Sequence, residues 1–345
     1  MKRILIILLL CYSNILFAQD PSFSQFYFNK LYYNPAYCGL SKTMEIGLSH
    51  RILWPNFPGK FNTDKFSADF DISCIRGLGG IGIMLSSNVE GNGYLKTISI
   101  GIPFAVRIRL SEKSIIQPGV QISLINKTIK WDEYVFRDQF DQVLGIVRPS
   151  SFSVPAVTKK VFPDFSLGLI WEWQNNPEQR AQVKNTSIRI GIAGHHITQP
   201  DFSFTGMSSK LPIKLVGHVN GNFPLEFDNT FVISPAVIYE YQKPMHTFLI
   251  GSNFLWKYPF LGLWMRGGKN LDAIIFAAGV KIGAAHRFYL SYSYDMTLSK
   301  LSNVSGGSHE INLVYMGGKS LCGDKRKGNK NHYKDRKRIL ICPEF

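Results

Sequence analysis

The residues able to do chemistry in this chain are few, and their spacing tells against most of what they could do. His195 and His196 are adjacent at the end of an alternating stretch. Neighbours on a strand point to opposite faces, so the pair cannot hold one metal ion in regular geometry, and a surface-loop pair is expected. His218, His246, His286 and His309 show no ligand spacing. Asp69 and Asp71 fall on one strand face, where two carboxylates could do acid–base work, but a wet interior accounts for them equally well. Gly91-Asn92-Gly93 opens no helix, so it offers no phosphate cradle. Ser305-Gly306-Gly307-Ser308 lacks the strand–serine–helix elbow of an esterase. No catalytic constellation, metal site or cofactor is expected.

Charge points to contact rather than catalysis. The 345-residue chain has a formal net charge of +15. Residues 319–345 carry nine basic residues, among them Lys325, Arg326, Lys327, Arg336, Lys337 and Arg338, against three acidic ones. On an exported chain such a run fits an acidic protein partner or anionic lipid head groups rather than nucleic acid; a solvated tail is the plain alternative. Export is read from the first residues. Lys2 and Arg3 precede an apolar run from Ile4 to Leu10, and Leu16-Phe17-Ala18 forms a cleavage site before Gln19. Lipidation at Cys11 fits less well, because Leu10 stands where a small residue should precede the cysteine. Four cysteines follow: Cys38, Cys74, Cys322 and Cys342. An oxidising compartment permits disulfides, and four cysteines allow three pairings. Cys38 with Cys74 would tie the N-terminal segment to an early turn, and Cys322 with Cys342 would close the basic tail.

The elements that must position these residues are alternating strands. In 286–296, Phe288, Leu290, Tyr292 and Tyr294 take one face, and Arg287, Ser291, Ser293 and Asp295 the other. After a Ser/Gly-rich connection, Ile311, Leu313 and Tyr315 oppose Glu310 and Asn312. Period-2 alternation marks half-buried strands. It recurs along the chain, most clearly at 97–109, where isoleucines, Phe104 and Val106 oppose small residues, Arg107 and Arg109. Phe66, Ala68, Phe70 and Ile72 oppose Lys65, Ser67, Asp69 and Asp71, a charged face that a dry sandwich core would reject and a wet lumen accepts. Strands at 245–256, 259–267 and 272–282 alternate less cleanly. The count is fourteen, an even number that returns both termini to one side. No run of about 18 apolar residues follows the N-terminus, so no transmembrane helix is expected.

These features give an all-β chain: a transmembrane antiparallel β-barrel of about fourteen strands. A secreted sandwich or jelly roll is the bland alternative. The chain divides into a signal peptide (1–18), an irregular segment (19–42), a barrel (43–316) and a basic tail (317–345). The segment 20–40 is rich in aromatics but broken by Pro21, Asn34-Pro35 and Gly39, so it is expected to pack against or inside the barrel. Alternate connections, starting with 53–62, lie outside. The two longest, 125–163 and 195–210, fall there, and the former is long enough to be a folded, functional loop. Arg51, Lys65, Asp69, Arg107, Arg109 and Arg287 are expected to line the lumen.

Several longer strings are similar to a known family. D-P-S-F-S-Q-F-Y-F-N-K-L-Y-Y-N-P-A-Y (20–37), following an export signal, resembles the opening of the PorP/SprF family of type IX secretion system membrane proteins. R-I-L-W-P (51–55), I-K-W-D-E-Y-V-F-R-D-Q-F (129–140), P-D-F-S-L-G-L (163–169), H-H-I-T-Q-P (195–200), I-S-P-A-V-I-Y-E-Y-Q (233–242) and G-G-S-H-E-I (306–311) follow in order. The resemblance implies a fatty-acid-transporter-like outer-membrane barrel with its tail in the periplasm. It also implies a part in exporting or anchoring large surface proteins such as gliding adhesins, without being the translocation pore. Implied partners are outer-membrane lipid, periplasmic ring or peptidoglycan-linked subunits, and the C-terminal domains of secreted cargo. Gln25, Asn34, Pro35 and Asp138, within the matching strings, join the six tail cations as partner-contact candidates. The competing expectation is a diffusion channel for small or hydrophobic solutes, with the charged lumen residues along its path.

Overall fold

The computed structural model describes residues 20–317 except 58, 60, 74, 76–77, 92–93, 142, 176–184, 226–230, 283–286 and 299–301. The expected signal peptide, the six tail cations, Cys74, Cys322 and Cys342 therefore lie outside the described residues.

Among the described residues the wall has fourteen strands. They are β1 (Glu45–Leu53), β2 (Phe61–Asp71), β3 (Leu78–Glu90), β4 (Leu95–Val106), β5 (Ser114–Ile129), β6 (Lys159–Gln174) and β7 (Ser187–His195). There follow β8 (Lys214–Pro224), β9 (Phe231–Gln242), β10 (Met245–Trp256), β11 (Pro259–Gly267), β12 (Leu271–Ile282), β13 (Phe288–Thr297) and β14 (Ser308–Met316). Each pairs antiparallel with the next, and β14 returns to β1 in register from Glu45↔Met316 to Leu53↔Ser308. That closing pair removes the free edges, so every wall strand has a hydrogen-bonded neighbour on both sides, as a sheet in hydrocarbon requires.

The alternation reads through into the wall. Ser291, Ser293 and Asp295 of β13 are buried inward while Leu290 and Tyr292 are exposed outward. Outward on β5 and β6, Ile122, Leu124 and Leu167 are each more than half exposed. Apolar side chains repeated this way around a whole cylinder form a patch far larger than a water-soluble monomer tolerates, and lipid tails resolve it. Trp256 stands outward at one rim and Tyr239 and Tyr241 at the other, where amphipathic rings meet the head groups.

The ends differ. One carries the connections 54–60, 91–94, 130–158, 196–213, 243–244, 268–270 and 298–307; the other carries 72–77, 107–113, 175–186, 225–230, 257–258 and 283–287. The loop expected at 125–163 is shorter than the sequence suggests, because β5 extends to Ile129 and β6 starts at Lys159, whereas the one expected at 195–210 runs on to the start of β8 at Lys214.

The lumen is filled by the N-terminal segment. Three short turns, Phe26–Phe28, Lys30–Tyr33 and Pro35–Tyr37, are almost wholly buried. Tyr27 packs on Trp264 of β11, its hydroxyl donates to Pro235 O of β9 at 2.8 Å, and Tyr37 donates to Asn220 of β8 at 2.8 Å. Asn29 reaches β14, and Gln117 of β5 donates to Ala36 O and Cys38 O at 2.9 Å each. A short segment touches strands around the whole wall only by running through the middle. It enters beside Gln242, at the long-loop end, and leaves at Gly39, beside Asp69, at the short-turn end. The unclean alternation of β11 has its cause here: Phe260 and Trp264 face inward to meet Phe28 and Tyr27.

Candidate functional site

The functional question for a barrel is what its lumen admits, and here the plug decides it. Its first turn hangs on two buried carboxylates. Glu310 accepts from Ser24 N at 2.5 Å, Gln25 N at 3.3 Å and Asn29 Nδ2 at 3.0 Å. Asp295 accepts from Ser24 Oγ at 2.6 Å, Arg51 Nη2 at 3.1 Å and Arg266 Nη1 at 2.7 Å. Two guanidiniums around one carboxylate compensate charges that would otherwise be costly to bury.

The middle of the plug is fixed by close approach. Asn34 caps the following turn by accepting from Ala36 N at 2.9 Å, and its Nδ2 donates to Leu169 O and Ile192 O of the wall. The Ala36 backbone lies against Gly119, where a Cβ would sit 2.5 Å from Ala36 Cα. At the exit, Gly39 adopts φ +66°, donates to Asp69 at 2.8 Å, and accepts from Arg107 Nη2 at 2.5 Å.

Arg51, Lys65, Asp69 and Arg107 thus do face the lumen. Lys65 Nζ donates to Phe28 O at 3.2 Å, and Arg107 Nη1 meets Asp71 at 3.3 Å, so all four are engaged with plug or wall rather than lining a free path. Arg109, opposite Ile115, and Arg287, before β13, sit exposed at the short-turn rim instead of in the lumen, because the strands end there. Gln25, Asn34 and Pro35 are buried. That corrects the expectation of partner contacts: they hold the plug to its own wall. Cys38 is a free buried thiol whose Sγ donates to Pro103 O at 3.5 Å; Cys74, the other half of the expected tie, lies outside the described residues.

The histidine pair also departs from expectation. Both rings turn inward. His195, on the inward register of β7, contacts Ser166 Oγ and Tyr33 O at 3.1 Å each. His196 takes φ +58° just past the strand end, which breaks the alternation and brings its ring to the same side. Its Nε2 lies 2.6 Å from Asp20 and its Nδ1 3.1 Å from Asp164. Burial alone would depress the His196 pKa, but the Asp20 and Asp164 carboxylates outweigh it and raise it to about 10. Among the described residues no group of His, Cys, Asp and Glu is arranged to hold a metal ion. The chemistry available is ion pairing and hydrogen bonding, the means of holding a plug.

The model for the type IX secretion system membrane protein PorP/SprF matches residues 15–315. The chain belongs to the PorP/SprF family. No curated protein matches it. Among solved structures it is similar to the Ralstonia pickettii toluene transporter TbuX, at 11% identity and TM-score 0.48, over 83% of this chain and 92% of that one. The monoaromatic hydrocarbon channel CymD follows at 14% identity and TM-score 0.48, over 85% and 92%. A Pseudomonas aeruginosa FadL homologue has 10% identity and TM-score 0.41, over 86% and 94%.

In this PorP/SprF protein the 130–158 loop is itself a folded unit. Asp138 accepts from Ser150 Oγ, Ser151 N and Ser151 Oγ, while Arg148 Nε donates to its carbonyl. The Ser151 and Ser150 hydrogen bonds lower the Asp138 pKa to about 2. Asp138 is therefore a staple within the loop, its acceptors already used. Phe136 packs on Phe152, Trp131 contacts Phe204, and Phe140–Asp141 pairs with Gly145–Ile146. Sequence reasoning missed Ser24, Asn29, Asp295 and Glu310 as plug anchors; the one available signal was acidic residues on inward faces of otherwise uncharged strands.

Proposed function

We propose that this protein is an outer-membrane accessory of the type IX secretion system. It docks or anchors secreted surface proteins at its long-loop end and contacts periplasmic ring or peptidoglycan-linked subunits through its basic tail. On this reading residues 1–18 are removed as a signal peptide and the long loops face outward. The observation that carries it is the plugged lumen, which leaves the surfaces to do the work. The competing channel reading loses its path for the same reason.

The outer loop supports docking. In register, Lys96, Thr128 and Lys159 form an outward polar row above the apolar belt. Beyond that collar Val143 is 89% and Leu144 75% exposed at the tip of the small hairpin. Apolar side chains held rigidly outside the hydrocarbon zone suit a protein partner. The tail supplies the second contact, by charge, so it is expected to weaken with salt.

The test is a deletion strain complemented with the full chain or with a chain lacking 319–345. Loss of surface proteins from the secretome in the deletion, with restoration by the full chain, supports the accessory role. Salt-sensitive co-purification of periplasmic subunits, lost with the tail, supports the tail contact. An unchanged secretome, with solute uptake lost instead, refutes the reading.

A further inference from the structure

Above the plug a cavity of about 150 Å³ lies between Asp20, Pro21 and Tyr32 on one side and the long-loop ends of the wall on the other. Most charges around it answer one another. His196 stands between Asp20 and Asp164, and Lys214 Nζ is 2.6 Å from Glu240. Glu90 accepts from Asn88 Nδ2 at 2.5 Å. Lys127 is different. Its ammonium stands 4.5 Å over the Phe202 ring and makes no ion pair within 4 Å among the described residues; Glu90 and Asp20 act on it only from farther off. A ring face attracts the charge but meets none of its three N–H donors with a hydrogen-bond acceptor.

The surface next to Lys127 is greasy. Ile125 lies on the same face of β5, and Phe162 stands opposite it in the β6 register. Both are buried, as are Met84 and Leu211, which also line the cavity. The plug forms the inner floor, so the space is a pocket rather than a passage. One unmet ammonium at the edge of an apolar surface recognises one negative group on an apolar body. A dianion would meet Glu90 and Asp20 around the same cavity, with no second unpaired cation lining it among the described residues to balance the charge.

We propose that this cavity binds a monoanionic amphiphile, a carboxylate on an aliphatic chain, with the carboxylate at Lys127 Nζ and the chain over Ile125, Phe162 and Leu211. The site is independent of the secretion role. The ligand needs only the cavity, and its absence would leave the loop and tail contacts untouched.

The experiment uses the mature protein in nanodiscs with 11-(dansylamino)undecanoate as the fluorescent probe. Laurate, dodecanol and dodecylammonium serve as competitors. Saturable probe binding displaced by laurate is expected, with dodecanol and dodecylammonium much weaker. Lys127→Gln should weaken probe binding by about tenfold or more, the scale of a lost charge-assisted hydrogen bond. Lys127→Arg should retain binding. Leu211→Trp, which fills the cavity and leaves the charges alone, should reduce it. Heat-modifiable gel migration shows that each variant has folded. No saturable binding, equal displacement by dodecanol, preference for dodecylammonium, or an unchanged Lys127→Gln would each overturn the proposal.

Discussion

Gly119→Ala tests the seating of the plug most directly, because it adds one methyl and no charge. The new Cβ would lie 2.5 Å from both Ala36 Cα and Ala36 N and 2.7 Å from Pro35 C. Ordinary carbon contacts are about 3.5–4.0 Å, so something must move by roughly 1 Å. The wall is poorly placed to yield. Gly119 is paired with Ala105 of β4 and with Gly168 of β6, so retreat of β5 would disturb two ladders. The plug moves instead. Gln117 donates to Ala36 O and Cys38 O at 2.9 Å, and a 1 Å retreat takes both beyond hydrogen-bond range. Two such bonds contribute about 1 kcal/mol each, and overpacking costs about 1–3 kcal/mol. The plug should therefore be loosened by about 3–5 kcal/mol while the barrel stays closed. Hydrogen exchange by mass spectrometry reads this as a roughly 150- to 5,000-fold faster exchange of the amides around Ala36 to Leu40. In planar bilayers the wild type should be silent and the variant should open intermittently. Unchanged exchange in a folded Gly119→Ala protein would falsify the account of how the plug is held.

Other perturbations follow from the same contacts. Glu310→Leu strips the acceptors from Ser24 N, Gln25 N and Asn29 Nδ2 and should loosen the first plug turn by about 3–5 kcal/mol, whereas Glu310→Gln, keeping one oxygen, should cost less; protease access to residues 20–30 separates them. His196, raised to about 10, stabilises the plug fully below its ordinary value near 6.5 and loses that contribution as pH rises through 10; Asp20, whose pKa His196 lowers against its burial, loses its contribution as pH falls below its usual range near 3.8. Plug amides near Asp20 should accordingly be best protected between about pH 4 and 6.5 and lose protection on either side, and a profile flat to pH 11 would contradict the clamp. Val143→Asp with Leu144→Asp should reduce surface display of exported proteins without changing barrel stability, measured by whole-cell labelling against thermal unfolding; normal display would remove the loop from the docking surface.

Much of the wall was legible along the chain. Phe66 against Lys65, or Leu290 against Ser291, carries its facing in a two-residue period that needs no tertiary knowledge, and fourteen such runs fix the strands and their parity. Boundaries of the long loop were not legible, since Asn126, Lys127 and Thr128 look like loop residues and become strand only because β6 offers them partners. Alternation alone puts Arg109 and Arg287 on the lumen side; it says which side a residue takes but not whether the wall still encloses it there. His196 escapes the two-residue period because its φ of +58° puts a residue of the wrong parity on the inward side.

The local pattern of the sequence determined that this chain is built of alternating strands and which of their faces are greasy, because strand alternation is a property of neighbouring residues. Only the tertiary structure decided that the lumen is closed. Ser24 and Glu310 are 286 residues apart, and nothing in their spacing brings them together. The meeting depends on β14 returning to β1 around the segment in the lumen. Partnership across that distance is set by closure of the cylinder, and closure is a property of the whole chain.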